Sequence, residues 1–382
     1  MKKTIAFLLS LAMLLALCAC GASNSAAPAA EAEPAEAPTE AEETATEAAP
    51  AEEEAAAEEA PAADAKVLTV AMGFPENDSI CVGLKYFCDY VEEATNGSVT
   101  FEYYWGGSLC SVPECFDYVS NGTIDLTAPL LDASMEKIPL YGWWTFYVSP
   151  EDSIALANYI QYENEETAPL VEQQLIDNNV ITFGWSTAGN NAFASTKDIA
   201  NGFADMANMS FGSGINTAIM AEVGVTSQPV SESEFYESLS RGIVDCTSTG
   251  LAGICTGKLY EVAPYIMVSG TSNAICNITL NRDVWNSLTE DEQAAFYEAS
   301  EAFQKFTLEN YNNSYDSYIQ EIEDSGSTLY YMSDEDNANY AKAYLSASYA
   351  SYKDFAANLG LAEEYETIAN AINEYCGFSI NG

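Results

Sequence analysis

The stretch Pro229–Val262 reads PVSESEFYESLSRGIVDCTSTGLAGICTGKLYEV, and the rest of the chain is organised around it. Ser231 is a helix cap, with Glu234 three residues on to complete a capping box. Phe235 and Leu239 share one face of the short helix that follows, and Gly242 suits the left-handed turn that ends it. A strand then starts at Ile243-Val244-Asp245 and delivers Thr247, Ser248 and Thr249 to a loop. In an open α/β sheet, ligands sit outside the carboxyl ends of strands. The loop is therefore a candidate binding surface, with Tyr236, Thr247 and Thr249 as contacts.

Working outward, Lys66–Met72 is an apolar strand broken by Gly73-Phe74-Pro75. A helix from Asp78 or Ser79 to about Ala94, a strand Val99–Tyr104, a helix Val112–Val119 stopped by Asn121-Gly122, and a strand Thr123–Leu131 follow. This β-α-β-α-β order predicts a largely parallel sheet with helices on both faces. Ser149-Pro150-Glu151-Asp152 opens a helix reaching about Gln174, and Val180–Trp185 is a strand. At Gly189-Asn190-Asn191 the chain is expected to cross to a second lobe. There Phe211–Gly214, Ile215–Val223 and Thr226–Val230 repeat the strand-helix-strand theme, and the strands Pro264–Ser269 and Asn277–Asn281 return toward the first lobe. Thr289-Glu290-Asp291-Glu292 opens a long helix to about Asn312, with further helices at Ser314–Glu323, Asp334–Ala357 and Glu363–Tyr375.

Ser233-x-x-Tyr236-x-x-Leu239-x-x-Gly242-x-x-Asp245, followed by Leu259-Tyr260-Glu261-Val262, resembles a segment of the substrate-binding proteins of tripartite ATP-independent periplasmic (TRAP) transporters. Further segments agree in order: Thr95-Asn96-Gly97, Gly106-Gly107-Ser108-Leu109, Asn121-Gly122-Thr123-Ile124-Asp125, and Leu280 to Gln293. The resemblance covers roughly residues 66 to 330. It implies a two-lobed, hinged α/β binder of the type II periplasmic-binding-protein-like fold, with a long helix running under both lobes. Such a binder hands a small solute to a membrane permease and needs no cofactor. On this reading lobe I is 66–190 plus 276–315, lobe II is 191–275 plus 316–382, and the protein is a monomer. Most members of the family hold a solute carboxylate with a second-lobe arginine, in a segment of the type Asp-Leu-x-Gly-Leu-Lys-Ile-Arg. The corresponding residues here are Asp205-Met206-Ala207-Asn208-Met209-Ser210-Phe211-Gly212, so Gly212 stands at the arginine position. A second basic position falls at Asn191. A neutral, zwitterionic or cationic solute is expected in place of an ordinary dicarboxylate or sialic acid. Candidate contacts at the strand ends are Phe74, Asn77, Asp132, Trp185, Asn190, Asn191, Gly212, Ser213, Tyr236, Thr247, Thr249 and Asn273.

Residues 1–20 read as a signal, with Lys2 and Lys3 before an apolar run from Ile5 to Leu17. Leu17-Cys18-Ala19-Cys20-Gly21 resembles a bacterial lipobox, which makes Cys20 the expected lipid-bearing N-terminus; ordinary cleavage after Ala19 or a later Ala, without lipid, is the other reading. Residues 21–64 hold 13 acidic side chains and no Lys or Arg, a composition unable to bury a core. They form an extended tether of roughly 35 to 40 Å or more. The expected address is extracytoplasmic, anchored to the bacterial membrane through the lipid.

Removing signal and tether leaves ten basic side chains against 45 acidic ones. Nucleic-acid binding is excluded by that balance, because phosphate contacts need Lys and Arg. With no histidine the Ser-His-Asp and Cys-His dyads are absent, as are His-containing metal sites. A carboxylate-based hydrolase, a receptor for an ATP-driven importer or sensor, and an adhesive lipoprotein stay open as alternatives. Eight cysteines lie in the domain. Cys110–Cys115 and Cys246–Cys255 are close enough in sequence for disulfides; the other reading is small buried apolar residues.

Overall fold

Two β-sheets, each with its own core, carry the structure. It is a computed structural model that describes residues 65–144, 149–213, 217–272 and 275–381. The first sheet contains β1 (Lys66–Ala71), β2 (Val99–Tyr104), β3 (Leu126–Thr127), β4 (Val180–Thr187) and β10 (Ile275–Asn281) in the order β2-β1-β3-β10-β4. The second contains β5 (Asn190–Ser195), β6 (Phe211–Ser213), β7 (Ser227–Pro229), β8 (Cys246–Gly250), β9 (Tyr265–Ser272) and β11 (Thr328–Tyr331) in the order β11-β9-β5-β8-β6-β7.

The chain passes from β4 directly into β5, and β10 takes up the first sheet again beyond β9. Register places Thr187 opposite Ile275 and Asn190 opposite Ser272. β1 runs parallel to β2 and β3, while β10 is antiparallel to both β3 and β4, so β1 to β4 share a direction. β6, β7 and β8 are parallel, and β5 is antiparallel to β8 and β9. The carboxyl ends of β1 to β4 and of β6 to β9 therefore all point at the crossover.

The first core gathers Leu68, Phe87, Val91, Phe183, Ile278 and Phe296 with the aromatic segment Tyr141, Trp143 and Trp144. The second sheet is buried on both faces. Ala192, Ala194, Phe235, Val244 and Ile254 pack on one side; Phe193, Phe203, Phe211, Cys246 and Met267 pack on the other. The alternation Ala192-Phe193-Ala194 is the two-residue period of a strand. Because Cys246 and Cys255 belong to opposite faces, their expected pairing is corrected: the sheet stands between them.

The capping boxes at Ser231/Glu234 and Thr289/Glu292 form as read from the residues. The helix opened by Thr289 runs Glu290–Asp324, 35 residues or ~52 Å at 1.5 Å per residue. It packs on the helix Ser79–Ala94 and β4, then on the helix Leu251–Thr256 and β11, and so touches both sheets. The expected stop near Asn312 is corrected. No Gly or Pro interrupts 290–324, and Ser314 Oγ donates to the Asn310 carbonyl within the helix at 2.9 Å.

Four other expectations change. The helix from Pro150 ends at Asn158 and a turn at Tyr159–Glu163, and a second helix occupies Ala168–Asp177. Asn164 Oδ1 accepts from the backbone N–H groups of Glu166 and Thr167, both at 3.0 Å, which starts a new chain direction. The third strand shrinks to Leu126–Thr127: the Thr123 N–H turns to Asn121 Oδ1, and Pro129 has no N–H to give a ladder. Thr247, Ser248 and Thr249 lie inside β8, paired with β5, and not in a loop. The C-terminal helix Ala362–Cys376, expected with lobe II, packs in the first core, where the Tyr365 and Trp143 rings are 5.0 Å apart.

Two predictions follow from the packing. Gly189 has φ 86°, and a Cβ there would lie 1.9 Å from the Tyr311 ring. Gly189→Ala is expected to destabilise the fold by about 2–5 kcal/mol in urea denaturation. Glu292 has an ion pair with Lys66 and accepts from Thr289 N–H and Ser98 Oγ. Burial opposes its ionisation, but these partners together outweigh burial and hold the carboxyl below its usual value. Its contribution is full above the unfolded glutamate value of about 4.3 and is lost as pH falls through the lower folded value. Glu292→Gln is expected to cost about 1–3 kcal/mol at pH 7 and nothing once the carboxylate is protonated in both states, measured by denaturation across pH.

Candidate functional site

The turns after the parallel strands converge on the crossover, and they form the candidate site. Phe74 follows β1, half-buried against the first core; its carbonyl accepts from the Gly106 N–H at 2.8 Å. Asn77 is exposed in the same turn. Asp132 lies in the turn Leu131–Ser134 beyond β3, and its side chain, like all of Asn273, lies outside the described residues. Trp185 is fully enclosed between Tyr141 and Trp144, with ring centroids 5.7 Å from each, so the structure places it in the core. Its Nε1 has no hydrogen-bond partner.

On the second lobe, Gly212 faces inward. A Cβ there would meet Val230 at 3.0 Å and Val244 at 3.1 Å, so a larger side chain would have to displace both. Its carbonyl accepts from Thr247 Oγ1 at 2.8 Å, which leaves Thr247 buried in a structural bond. Ser213 is 2 % exposed, and Thr249, at 8 %, ends near the strand's carboxyl terminus beside Glu232. Tyr236 stands apart from these: its hydroxyl donates to Glu261 at 3.1 Å on the outer surface.

The crossover residues are held by the helix Glu290–Asp324, the spine helix of the fold. Asn190 N–H donates to the Tyr311 hydroxyl at 3.0 Å, the hydroxyl donates back to Asn190 Oδ1, and Asn190 Nδ2 donates to the Ser269 carbonyl at 2.9 Å. Asn191 Nδ2 donates to the Tyr340 hydroxyl at 3.3 Å. Opposite Asn190, the buried Ser272 hydroxyl has no partner. Beside the spine helix a small cavity of about 30 Å³ is lined by Ser79, Thr187, Ala252 and Tyr311. It has room for about one water. A wider opening of about 400 Å³, lined by Glu222, Asp336 and Lys342, is on the outer side of the second lobe and includes none of the strand-end residues.

The family model for bacterial extracellular solute-binding proteins, family 7, matches residues 70–354. The chain belongs to this family. Its members bind solutes for transport and do not transform them, and they work outside the cytoplasm. A solute-binding protein of Sulfitobacter sp. strain NAS-14.1 is 24 % identical over 275 residues, covering 69 % of this chain and 81 % of its own. Among solved structures, a TRAP solute-binding protein from Ochrobactrum anthropi, with its C-terminus bound in its ligand-binding pocket, superposes with TM-score 0.69. The two are 17 % identical, and the match covers 82 % of this chain and 96 % of that one. A TRAP protein from Sulfitobacter sp. NAS-14.1 with bound β-D-galacturonate gives TM-score 0.62 at 18 % identity, over 79 % of this chain and 99 % of that one. The fold is the two-lobed type II fold of TRAP solute-binding proteins.

Within this family member the strand-end turns are acidic. Residues 72–78, 128–134 and 230–234 hold Glu76, Asp78, Asp132, Glu232 and Glu234 and not one Lys or Arg. Eight of the domain's ten basic groups are engaged elsewhere. Lys66, Lys85, Lys137, Lys197, Arg241 and Lys305 form ion pairs, Arg282 Nε donates to the Val180 carbonyl, and Lys353 lies over the Tyr349 ring. Glu232 was missed in the strand-end reading, although its position just past β7 marks it. Solvent reaches it, yet the surrounding protein desolvates the carboxyl and pushes it up, partly offset by Thr249. Asp78, which caps the helix Ser79–Ala94 through the Ile80 N–H, is also pushed up by burial. Removing the hydroxyl that ties the crossover, Tyr311→Phe, is expected to cost about 1–3 kcal/mol in urea denaturation because two Asn190 groups lose their partner. A change below about 0.5 kcal/mol would show that the clamp is not needed.

Proposed function

We propose that the chain is the receptor of a TRAP-type secondary transporter, closing its two lobes on a small solute and delivering it to the membrane permease subunits. Lobe I takes 66–190 plus 276–315 together with the C-terminal helix Ala362–Cys376, and lobe II takes 191–275 with the residues around 316–345. The protein acts as a monomer, tethered by residues 21–65 to a lipid on Cys20, which lies outside the described residues. Cys20→Ala is expected to move the chain from the membrane fraction to the soluble extracytoplasmic fraction; unchanged membrane retention would overturn the lipid anchor.

The ligand carries no obligatory carboxylate and favours positive charge. One observation supports this reading above others: the turns at the strand ends contain five carboxylates and no base. A solute carboxylate enclosed there would lack the bidentate guanidinium that makes such a site strong, at a cost of several kcal/mol. The galacturonate in the Sulfitobacter protein is thus not expected to bind here. A solute ammonium would instead meet Glu232, whose carboxyl is already short of solvation, with Thr249 as a neutral neighbour.

Isothermal titration with quaternary amines, polyamines, polyols, succinate, sialic acid and galacturonate tests the reading. Binding is expected among the amines or polyols, with no heat from the three acids. For a cationic ligand, Glu232→Gln is expected to weaken binding at least tenfold, about 1.4 kcal/mol. Carboxylate-dependent binding of succinate or sialic acid would refute the ligand class while leaving the receptor role intact.

A further inference from the structure

The thiols of Cys110 and Cys115 stand 2.8 Å apart, and both are buried, at 1 % and 0 % exposure. The turn between them is fixed by its own bonds. Ser111 and Glu114 form a capping box, and Cys115 Sγ donates to the Ser111 carbonyl at 3.3 Å. The two sulfurs are thus inside non-bonded contact and only ~0.8 Å beyond a disulfide bond. Other thiols of the domain have different neighbours. Cys81 Sγ faces the Phe74 carbonyl at 3.6 Å, Cys255 Sγ the Tyr318 carbonyl at 3.7 Å, and Cys276 Sγ the Ser186 hydroxyl at 3.0 Å.

We propose that Cys110 and Cys115 are joined by a disulfide in the extracytoplasmic protein. The family works outside the cytoplasm, where such bonds persist. The oxidant is a disulfide of a thiol-exchange protein or a small-molecule disulfide. The Cys115 thiolate attacks one of its sulfurs and releases the first oxidant thiolate; the Cys110 thiolate then attacks Cys115 Sγ and releases the second. Two electrons pass to the oxidant, and the two thiol protons end on its two sulfurs. Because both sulfurs are enclosed in the folded chain, the exchange belongs to folding after export.

The bond would secure one edge of the candidate site. A Cβ on Gly73 would lie 2.4 Å from the Val112 backbone nitrogen, so the bridged turn presses on the turn after β1 that carries Phe74 and Asn77. The loop 106–107 fastens the same place through Gly106 N–H to the Phe74 carbonyl and Gly107 N–H to the Met72 carbonyl.

Cleavage after Lys85 and Lys137 yields the peptide 86–137, which contains Cys88, Cys110 and Cys115. Full-length protein taken from the outside of its producing cell is quenched in acid, then alkylated with iodoacetamide in denaturant, with and without prior reduction. The expected mass shows one alkylated cysteine before reduction and three after it. Three before reduction, or a bridge that includes Cys88, would overturn the proposal. As a second readout, a phosphine reductant is expected to lower the melting temperature of the wild type by a few degrees and to leave a Cys110→Ala/Cys115→Ala variant unmoved. An equal fall in both proteins would count against the bond.

Discussion

Tyr311 occupies the space that a side chain at residue 189 would need, and its hydroxyl takes both the backbone N–H and the side-chain oxygen of Asn190. That contact ties the spine helix to the point where the chain leaves the first sheet for the second. Asn190 passes the restraint on to the returning strand through the Ser269 carbonyl. With one crossover pinned, the register Thr187–Ile275 on one side and Asn190–Ser272 on the other aims every parallel strand end at the same place. The position of the site is thus a consequence of topology, and the chemistry of the site is left to short turns.

Those turns hold carboxylates and no Lys or Arg. A single guanidinium at position 212 would not be a small change, since Val230 and Val244 fill the space beside the glycine. Asn191, at the crossover, is bonded to Tyr340. Surface acidity is common in soluble domains and by itself marks nothing. What distinguishes these turns is that carboxylates come from both lobes, while basic side chains such as Lys66, Lys197, Arg282 and Lys353 are occupied by Glu, Asp, a carbonyl or a ring elsewhere.

Much of this architecture could be read from local chemistry. Capping boxes at Ser231 and Thr289, the limits of β1 and β2, and the crossing at Gly189-Asn190-Asn191 depend on neighbours within a few residues, and they fell where the residue types put them. Features set by distant partners did not. One local feature was also misread: Asn164 ends the helix by accepting two N–H groups, where Glu163 to Thr167 and Pro169 already interrupt the apolar spacing. Thr247 and Thr249 look like loop residues until β5 supplies their ladder. Trp185 reads as a strand-end aromatic, yet Tyr141 and Trp144 close over it. The C-terminal helix returns to the first core because its apolar face, Tyr365, Ile368 and Ile372, meets Trp143, a pairing over two hundred residues that no local pattern announces. Family resemblance supplied the two-lobed plan.

The uncut length of the spine helix has a mechanical meaning. A chain that broke near Asn312 would give the two sheets a swivel, free to rest at any angle. Here the same hydrogen-bonded rod runs past the crossover without Gly or Pro, so rotation of one sheet against the other must bend it. Helices of this length curve smoothly and resist sharp kinks. The rod therefore couples the two sheets mechanically, since it is packed against both along one uninterrupted length.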